Sequence, residues 1–405
     1  MKYNVVLFIL ALLSGVFSTH AQDHSSCDGV RYRTALFTDV LTAEDVQYSQ
    51  GETIGGDTVD LFLDIYEPSG DAVSHRPTIV LGFGGSFIVG TRKDIAELCK
   101  EYAKRGFVAV SIDYRLYDLP LFPFPRAEQM EEVVVKTVVD MRAALSFLVD
   151  DARKDNMYGI DTSQFFVGGV SAGSIMALHT AMLDFGDDIP AGIGSKLDDN
   201  GPIDGVTNAN SAIPIQGVIN FSGGLNKADW IDSDDPALFS YHDDMDPTVP
   251  YKSGFANVFG QNIIGLDGSY VLDSIAQARG VISELVTVPN SNVHVSYLLL
   301  PGESEKAIDA SAKFMYKMLC SDRADVSQIS QEKPYKIGPN PSYREFTLQV
   351  DAASTIEVLD ISGRIVERIE TAQAGEVRLS RLAKGSYILK IRMGNQRYTE
   401  RVIKN

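Results

Sequence analysis

Gly169-Val170-Ser171-Ala172-Gly173 is preceded by the apolar run Phe165-Phe166-Val167 and followed by Ile175-Met176-Ala177-Leu178, so a serine stands between a predicted strand and a predicted helix. The chain can turn that sharply only if the residues two before and two after the serine are small, and both are glycine. Such a corner is a nucleophile elbow. A serine hydroxyl is a weak nucleophile by itself, so the rest of the chain has to supply a base, an orienting acid and donors for an oxyanion.

Outward from the elbow, the pattern is that of an α/β protein. Short apolar runs at 78–81, 108–112, 165–168, 215–221, 237–241 and 284–288 predict strands, and amphipathic stretches at 94–105, 127–151, 172–183, 270–279 and 305–319 predict helices between them. Alternation of this kind reads as a mostly parallel sheet covered by helices on both faces, with 59–66 as an antiparallel lead-in strand. A Gly, Asp and Asn-rich segment, 186–210, is too long for an ordinary connection and reads as an excursion over the site. Its Asp187-Asp188 and Asp198-Asp199-Asn200 clusters lack the spacing of a calcium loop and read as a solvated acidic surface.

With 405 residues, 44% of them hydrophobic and 22% charged, there is enough chain for one large domain and a small one. Lys2 followed by the apolar run 5–13 and by Thr19-His20-Ala21 predicts a signal peptide over 1–21, leaving a catalytic unit at 22–320. No later stretch is apolar enough for a transmembrane anchor. The polar stretch 321–334 reads as a linker, and 335–405 as a small all-β sandwich with strands at 345–350, 355–359, 365–369, 376–379, 386–391 and 398–403. The formal charge is −18. From Tyr335 onward 12 basic residues face 8 acidic ones, so the first 334 residues hold 24 against 46 and are repelled by nucleic acid and anionic lipid. Three cysteines permit one internal disulfide. Cys99 shares a helical face with Ile95, Tyr102 and Ala103 and reads as a buried thiol, which by elimination pairs Cys27 with Cys320. No cysteine or histidine spacing indicates a metal site, and no cofactor is called for.

Histidine is scarce, which narrows the search for the base. His20, His24 and His75 lie in the signal peptide or in polar sequence before the core, and His179 lies two turns along the helix after Ser171. His242 and His294 follow apolar strands, at the edge where open α/β sheets place their sites. His294, in the short loop after the strand at 284–288, is the better base; the alternative is that it opens a further strand at 295–300 and faces solvent. Asp246, in the loop after the strand at 237–241, is the candidate acid, with Asp243 and Asp244 as turn residues or outer partners. The order Ser171, Asp246, His294 is that of the hydrolase elbow proteins. Oxyanion donors have two sources, the Ala172 N–H at a helix N-terminus and the loop Gly82-Phe83-Gly84-Gly85-Ser86-Phe87.

These residues carry a family resemblance. Asp64-Ile65-Tyr66-Glu67-Pro68, the glycine loop, Asp113-Tyr114-Arg115-Leu116, the Ser-Ala-Gly elbow and Asp246 with Val249-Pro250 fall in one order over about 59–319. The series resembles the α/β-hydrolase carboxylesterases, including the hormone-sensitive-lipase-like and feruloyl-esterase-like branches. The resemblance implies an α/β-hydrolase fold, a triad of Ser171, Asp246 and His294, and oxyanion donors at Gly85, Ser86 and Ala172. Two positions depart from it: Phe83 stands where the family's loop has a histidine brace, and Asp243 replaces the glycine common after His242. The tail, with Pro339-Asn340-Pro341, Val358-Leu359-Asp360-Ile361-Ser362-Gly363-Arg364 and Leu382-Ala383-Lys384-Gly385-Ser386-Tyr387, resembles the C-terminal sorting domain of type IX secretion. That implies passage through the periplasm, secretion machinery as a partner, and a secreted or surface location.

The reading is a secreted serine carboxylesterase acting through an acyl-enzyme on a small or polymer-linked ester, with no cofactor and no metal. Substrate contacts are expected from Phe122 and Phe124, in an apolar loop, and from Trp230; the other reading of all three is core packing. The rival functions are a peptidase of the same fold and a non-catalytic surface binding protein on a hydrolase scaffold.

Overall fold

The computed structural model describes residues 27–183, 187, 213–300, 302–320, 335–338, 342, 345–360, 364–379, 381–394 and 396–404. The signal peptide with His20, His24, nearly all of the 186–210 segment, the 321–334 linker and Pro339-Asn340-Pro341 lie outside these residues.

The main sheet opens with β1 (Val40–Glu52) and β2 (Thr58–Pro68), followed by β3 (Arg76–Gly82), α1 (Ala96–Ala103), β4 (Val108–Ile112), α2 (Ala127–Arg153), β5 (Ile160–Val170) and α3 (Ala172–Met182). The chain continues through β6 (Ile215–Phe221), the short β7 (Gly224–Leu225), β8 (Ala237–Asp243), the hairpin β9 (Ser253–Val258) and β10 (Gln261–Gly268), α4 (Ser269–Ala278), β11 (Ser283–Val288), α5 (Ser296–Leu299) and α6 (Glu303–Cys320). Eight strands pair in the order β1-β2-β4-β3-β5-β6-β8-β11. The β1–β2 and β2–β4 pairs are antiparallel, and every pair from β4 to β11 is parallel. Every residue of β3, β4 and β8 is buried, because helices cover both faces of the parallel part. This is the α/β-hydrolase arrangement. It brings the carboxyl ends of β3, β5, β8 and β11 to one edge, where the glycine loop, the elbow, Asp246 and His294 all begin.

In the C-terminal part every pair of named strands is antiparallel. It comprises β12 (Tyr335–Gly338), β13 (Phe346–Val350), β14 (Ser354–Asp360), β15 (Ile365–Thr371), β16 (Gly375–Leu379), β17 (Gly385–Met393) and β18 (Gln396–Lys404). They form a three-stranded sheet, β12-β13-β16, and a four-stranded one, β15-β14-β17-β18. Alternate residues such as Phe346, Leu348, Ile356, Val358, Leu389 and Ile391 point into a core separate from that of the main sheet.

Several elements depart from the sequence expectation. Strand β1 is long but half-buried and polar on alternate positions, so its apolar signal is weak. The hairpin β9–β10 turns through Phe259-Gly260, both at positive φ (51° and 82°). Such a turn normally announces itself as Asn-Gly or Asp-Gly, and a phenylalanine in the left-handed region hides it. The predicted helix over 94–105 divides into a 3-10 turn, Arg92–Ile95, and α1. The run after His294 is the helix α5, so a strand opening at that histidine does not form. Cys27 and Cys320 form a disulfide, and Cys99 is a buried free thiol whose ionisation burial pushes well up. Among the described residues no helix is long and apolar enough to cross a membrane.

Candidate active site

Ser171 has φ 54° and ψ −116°, a conformation that L-residues avoid and that lifts its side chain out of the strand-to-helix corner. Close packing explains the flanking glycines. A Cβ on Gly169 would lie 2.5 Å from the Gly82 carbonyl oxygen, and one on Gly173 would lie 2.1 Å from it, so the elbow rests directly on the end of β3. The Ser171 N–H donates to the Phe221 carbonyl (2.8 Å), which ties the corner to the end of β6.

The Ser171 hydroxyl donates to His294 Nε2 (2.7 Å), and His294 Nδ1–H donates to Asp246 Oδ2 (2.6 Å). These residues lie 123 and 48 positions apart and meet because their loops leave the carboxyl ends of β5, β8 and β11 at one edge of the sheet. The Asp246 side chain is fully buried and that of His294 is 20% exposed. Burial alone would raise the Asp246 carboxyl. Hydrogen bonds from His242 and His294, the charge of His294 and the Thr248 N–H override it and hold the group well below the usual carboxylate range. Its other oxygen, Oδ1, accepts the N–H groups of Thr248 (2.8 Å) and Val249 (3.0 Å).

Three features of the site carried little sequence signal. His242, completely buried, stands behind the acid: its Nε2 faces the Val249 carbonyl (3.2 Å) and Asp246 Oδ2 (3.3 Å), both acceptors, so Nε2 carries the proton. Its Nδ1 then accepts from Ser269 Oγ (2.7 Å), which itself accepts from Asn220 Nδ2 (3.0 Å). This buried chain fixes the tautomer and presents a second N–H to the carboxylate. The signal available was a histidine four residues before the acid, at the end of a fully buried strand. Secondly, Asp243 and Asp244 hold the two ends of the His294 loop. Asp243 accepts from Ser296 N (3.1 Å) and from the Ser296 hydroxyl, while Asp244 Oδ1 accepts from Ser291 N (3.1 Å). A glycine at 243 would provide neither bond.

Thirdly, the glycine loop has its own brace. Phe83 stacks on Tyr114 with ring centroids 4.1 Å apart, and the Tyr114 hydroxyl donates to the Phe83 carbonyl (2.7 Å). The Tyr117 N–H donates to the Phe87 carbonyl (2.7 Å), so the 113–117 loop supports both ends of the glycine loop. Gly85, at φ 133°, shapes the turn, and its carbonyl accepts from Ile88 and Val89 N–H. Ser86 and Ala172 line the cleft together with Ser171. Ala172 opens α3, and the N–H groups of a first helical turn have no intrahelical acceptor.

The residues expected to hold substrate are placed elsewhere. Trp230 is 1% exposed, because the short 3-10 turn Ala228–Trp230 folds it inward edge-to-face with His179 (5.8 Å); it walls a neighbouring cavity and not the Ser171 cleft. Phe122 is 92% exposed and lines neither cavity. Phe124 is half-buried and meets Phe259 at the hairpin tip edge-to-face (6.4 Å). The cleft is lined instead by Met130, Ile175, Val249 and the hairpin residues Ala256, Val258 and Ile263, with no charged side chain.

Residues 63–226 match the BD-FAE family. The BD-FAE match takes in the glycine loop and the elbow and ends before Asp246 and His294. Residues 336–405 match the secretion system C-terminal sorting domain, which marks a secreted or cell-surface protein. A non-reducing polyketide synthase from Aspergillus novofumigatus is 41% identical over 80 residues, which are 19% of this chain and 3% of the synthase. The chain therefore spans only a small part of the curated relative it matches. Among solved structures, Thermogutta terrifontis esterase 2 aligns with a TM-score of 0.48 in its propionate-bound form and 0.47 in its butyrate-bound form. Identity is 20% and 19%, and the alignments cover 68% and 71% of this chain and 94% and 97% of the esterase. The chain combines an α/β-hydrolase fold, matched by BD-FAE over 63–226, with a secretion tail.

Proposed function

We propose that the exported protein is a serine carboxylesterase. The observation that carries the reading is the unbroken hydrogen-bonded line from Ser171 through His294 to Asp246 at the mouth of an uncharged cleft. Ser171 Oγ attacks the ester carbonyl while His294 Nε2 takes its proton, and Asp246 stabilises the imidazolium that forms. The tetrahedral oxyanion is received by main-chain N–H groups at Gly85, Ser86 and Ala172, the last at the positive end of α3. His294 then gives the proton to the departing alcohol, and water repeats the sequence on the acyl-enzyme. Residues 22–320 are the catalytic unit and 335–405 the sorting unit in this reading, with the segment 1–21 removed on export.

Turnover of p-nitrophenyl acetate and butyrate by the mature protein tests it. Ser171→Ala and His294→Ala should each lower kcat/KM by roughly 10⁴-fold or more, with the folded state intact by circular dichroism. Equal turnover by wild type and Ser171→Ala, or none by the wild type, rules the reading out.

A further inference from the structure

Successive residues of a strand face opposite sides of its sheet, yet Ile263 and Ile264 in β10 are both buried. The pairing of β10 with β9 slips between Asn262 and Gly265, and this bulge turns both isoleucines toward the site. Both line the Ser171 cleft. Ile264 also lines a second pocket, walled by Val134, Val138, Leu266 and Trp230. Among the described residues it is the one that borders both. The hairpin that carries it is inserted between the Asp246 loop and α4, so it is positioned by the same segment that holds the acid.

We infer that Ile264 is the stop that sets how long an acyl chain the Ser171 cleft accepts. The inference rests on the carboxylesterase reading above. A cleft lined by Met130, Val258 and Ile263, with no charged group, favours a hydrocarbon chain. Each methylene that such a wall takes from water gains roughly fourfold in binding. That gain ends at the carbon that must displace Ile264. The acyl group is assigned to this side because it stays on Ser171 while the alcohol leaves for solvent. Beyond Ile264 the second cavity is largely aliphatic, although Glu131 and His179 also line it. Removing the Ile264 side chain joins the two spaces.

The experiment compares kcat/KM for p-nitrophenyl acetate, butyrate, hexanoate, octanoate and decanoate in wild type, Ile264→Ala and Ile264→Phe. The wild type should favour the shorter esters. Ile264→Ala should raise the octanoate-to-acetate ratio by about tenfold or more, and Ile264→Phe should lower it. Adding Val138→Phe to Ile264→Ala refills the second cavity and should cancel the gain, an effect that general loosening of the fold would not produce. Two results overturn the inference: a length profile that is the same in all variants, or one that shifts only in a series of alkyl acetates, where the alcohol varies. Loss of length selectivity without rescue by Val138→Phe also counts against it. A wild type with no Ser171-dependent turnover overturns the esterase reading itself, so the two failures are distinguishable.

Discussion

Asp232 shows how strongly one residue's surroundings can set its chemistry. It is 4% exposed, and burial first, then the charges of Asp187 and Asp234, push its carboxyl up from 3.8 to about 7, against the opposing pull of Arg279 at 3.6 Å. Its Oδ1 is buried with no hydrogen-bond partner among the described residues. Because the folded value lies above the unfolded one, the native state keeps a proton that the unfolded chain releases between about pH 4 and pH 7. Stability is therefore lost as pH rises through that window and stays reduced above it. Asp232→Asn removes the penalty and should stabilise the protein at pH 8 by on the order of 3 kcal/mol, with the advantage vanishing near pH 4. Urea unfolding at both pH values measures this, and an equal difference at both would show that the charge is not responsible. Asp246 illustrates the opposite case. It is equally enclosed, but four N–H donors surround it and keep it ionised. Sequence position marks Asp246 as a loop residue after a strand, but what gives the two aspartates opposite ionisation is what surrounds them in the fold.

At the scale of elements, the glycine loop and its support explain how a brace can change chemistry and keep its task. The loop lacks the histidine found in the resembling family, and Phe83 with Tyr114 occupies that role through ring stacking and one hydrogen bond to the main chain. Tyr114→Phe keeps the stack and deletes only the hydroxyl. It should cost about 1 kcal/mol of stability and, by letting the Ser86 N–H drift, lower kcat several-fold with KM little changed. A parallel fall in stability with unchanged kcat would assign the hydroxyl to packing alone. The positions of strand β5, the elbow and α3 were legible from the sequence because apolar runs, two glycines and a serine all point to one geometry. The hairpin β9–β10 was not. Its turn carries Phe259 where a turn signal usually has Asn or Asp, and its bulge breaks the alternation that identifies a strand. Trp230 was legible as an apolar anchor but not as to which cavity it serves, since that depends on how a three-residue turn folds after β7.

For the whole molecule, the Cys27–Cys320 disulfide joins the first described residue to the end of α6, closing a loop of 293 residues around the entire main sheet. A cross-link of that span restricts the unfolded chain more than the folded one. Cys27→Ser with Cys320→Ser, or reductant, should lower stability by about 2–5 kcal/mol, read as a drop in Tm of roughly 5–15 °C by calorimetry. An unchanged Tm would mean the N-terminal strap contributes little to holding α6 on the sheet. A disulfide suits a chain bound for an oxidising exterior, and the sorting domain supplies the route. The sequence by itself determined the alternation of strands and helices, the elbow and its glycines, the all-β tail and the few residues able to act as base and acid, because periodicity, steric need and residue chemistry are local properties. Only the tertiary structure decided that His294 lies within hydrogen-bond reach of both Ser171 and Asp246, what stands behind that acid, and that Ile264 borders two pockets. Those are distances between segments as far as 123 residues apart, and they exist only once the parallel sheet has aligned its strand ends.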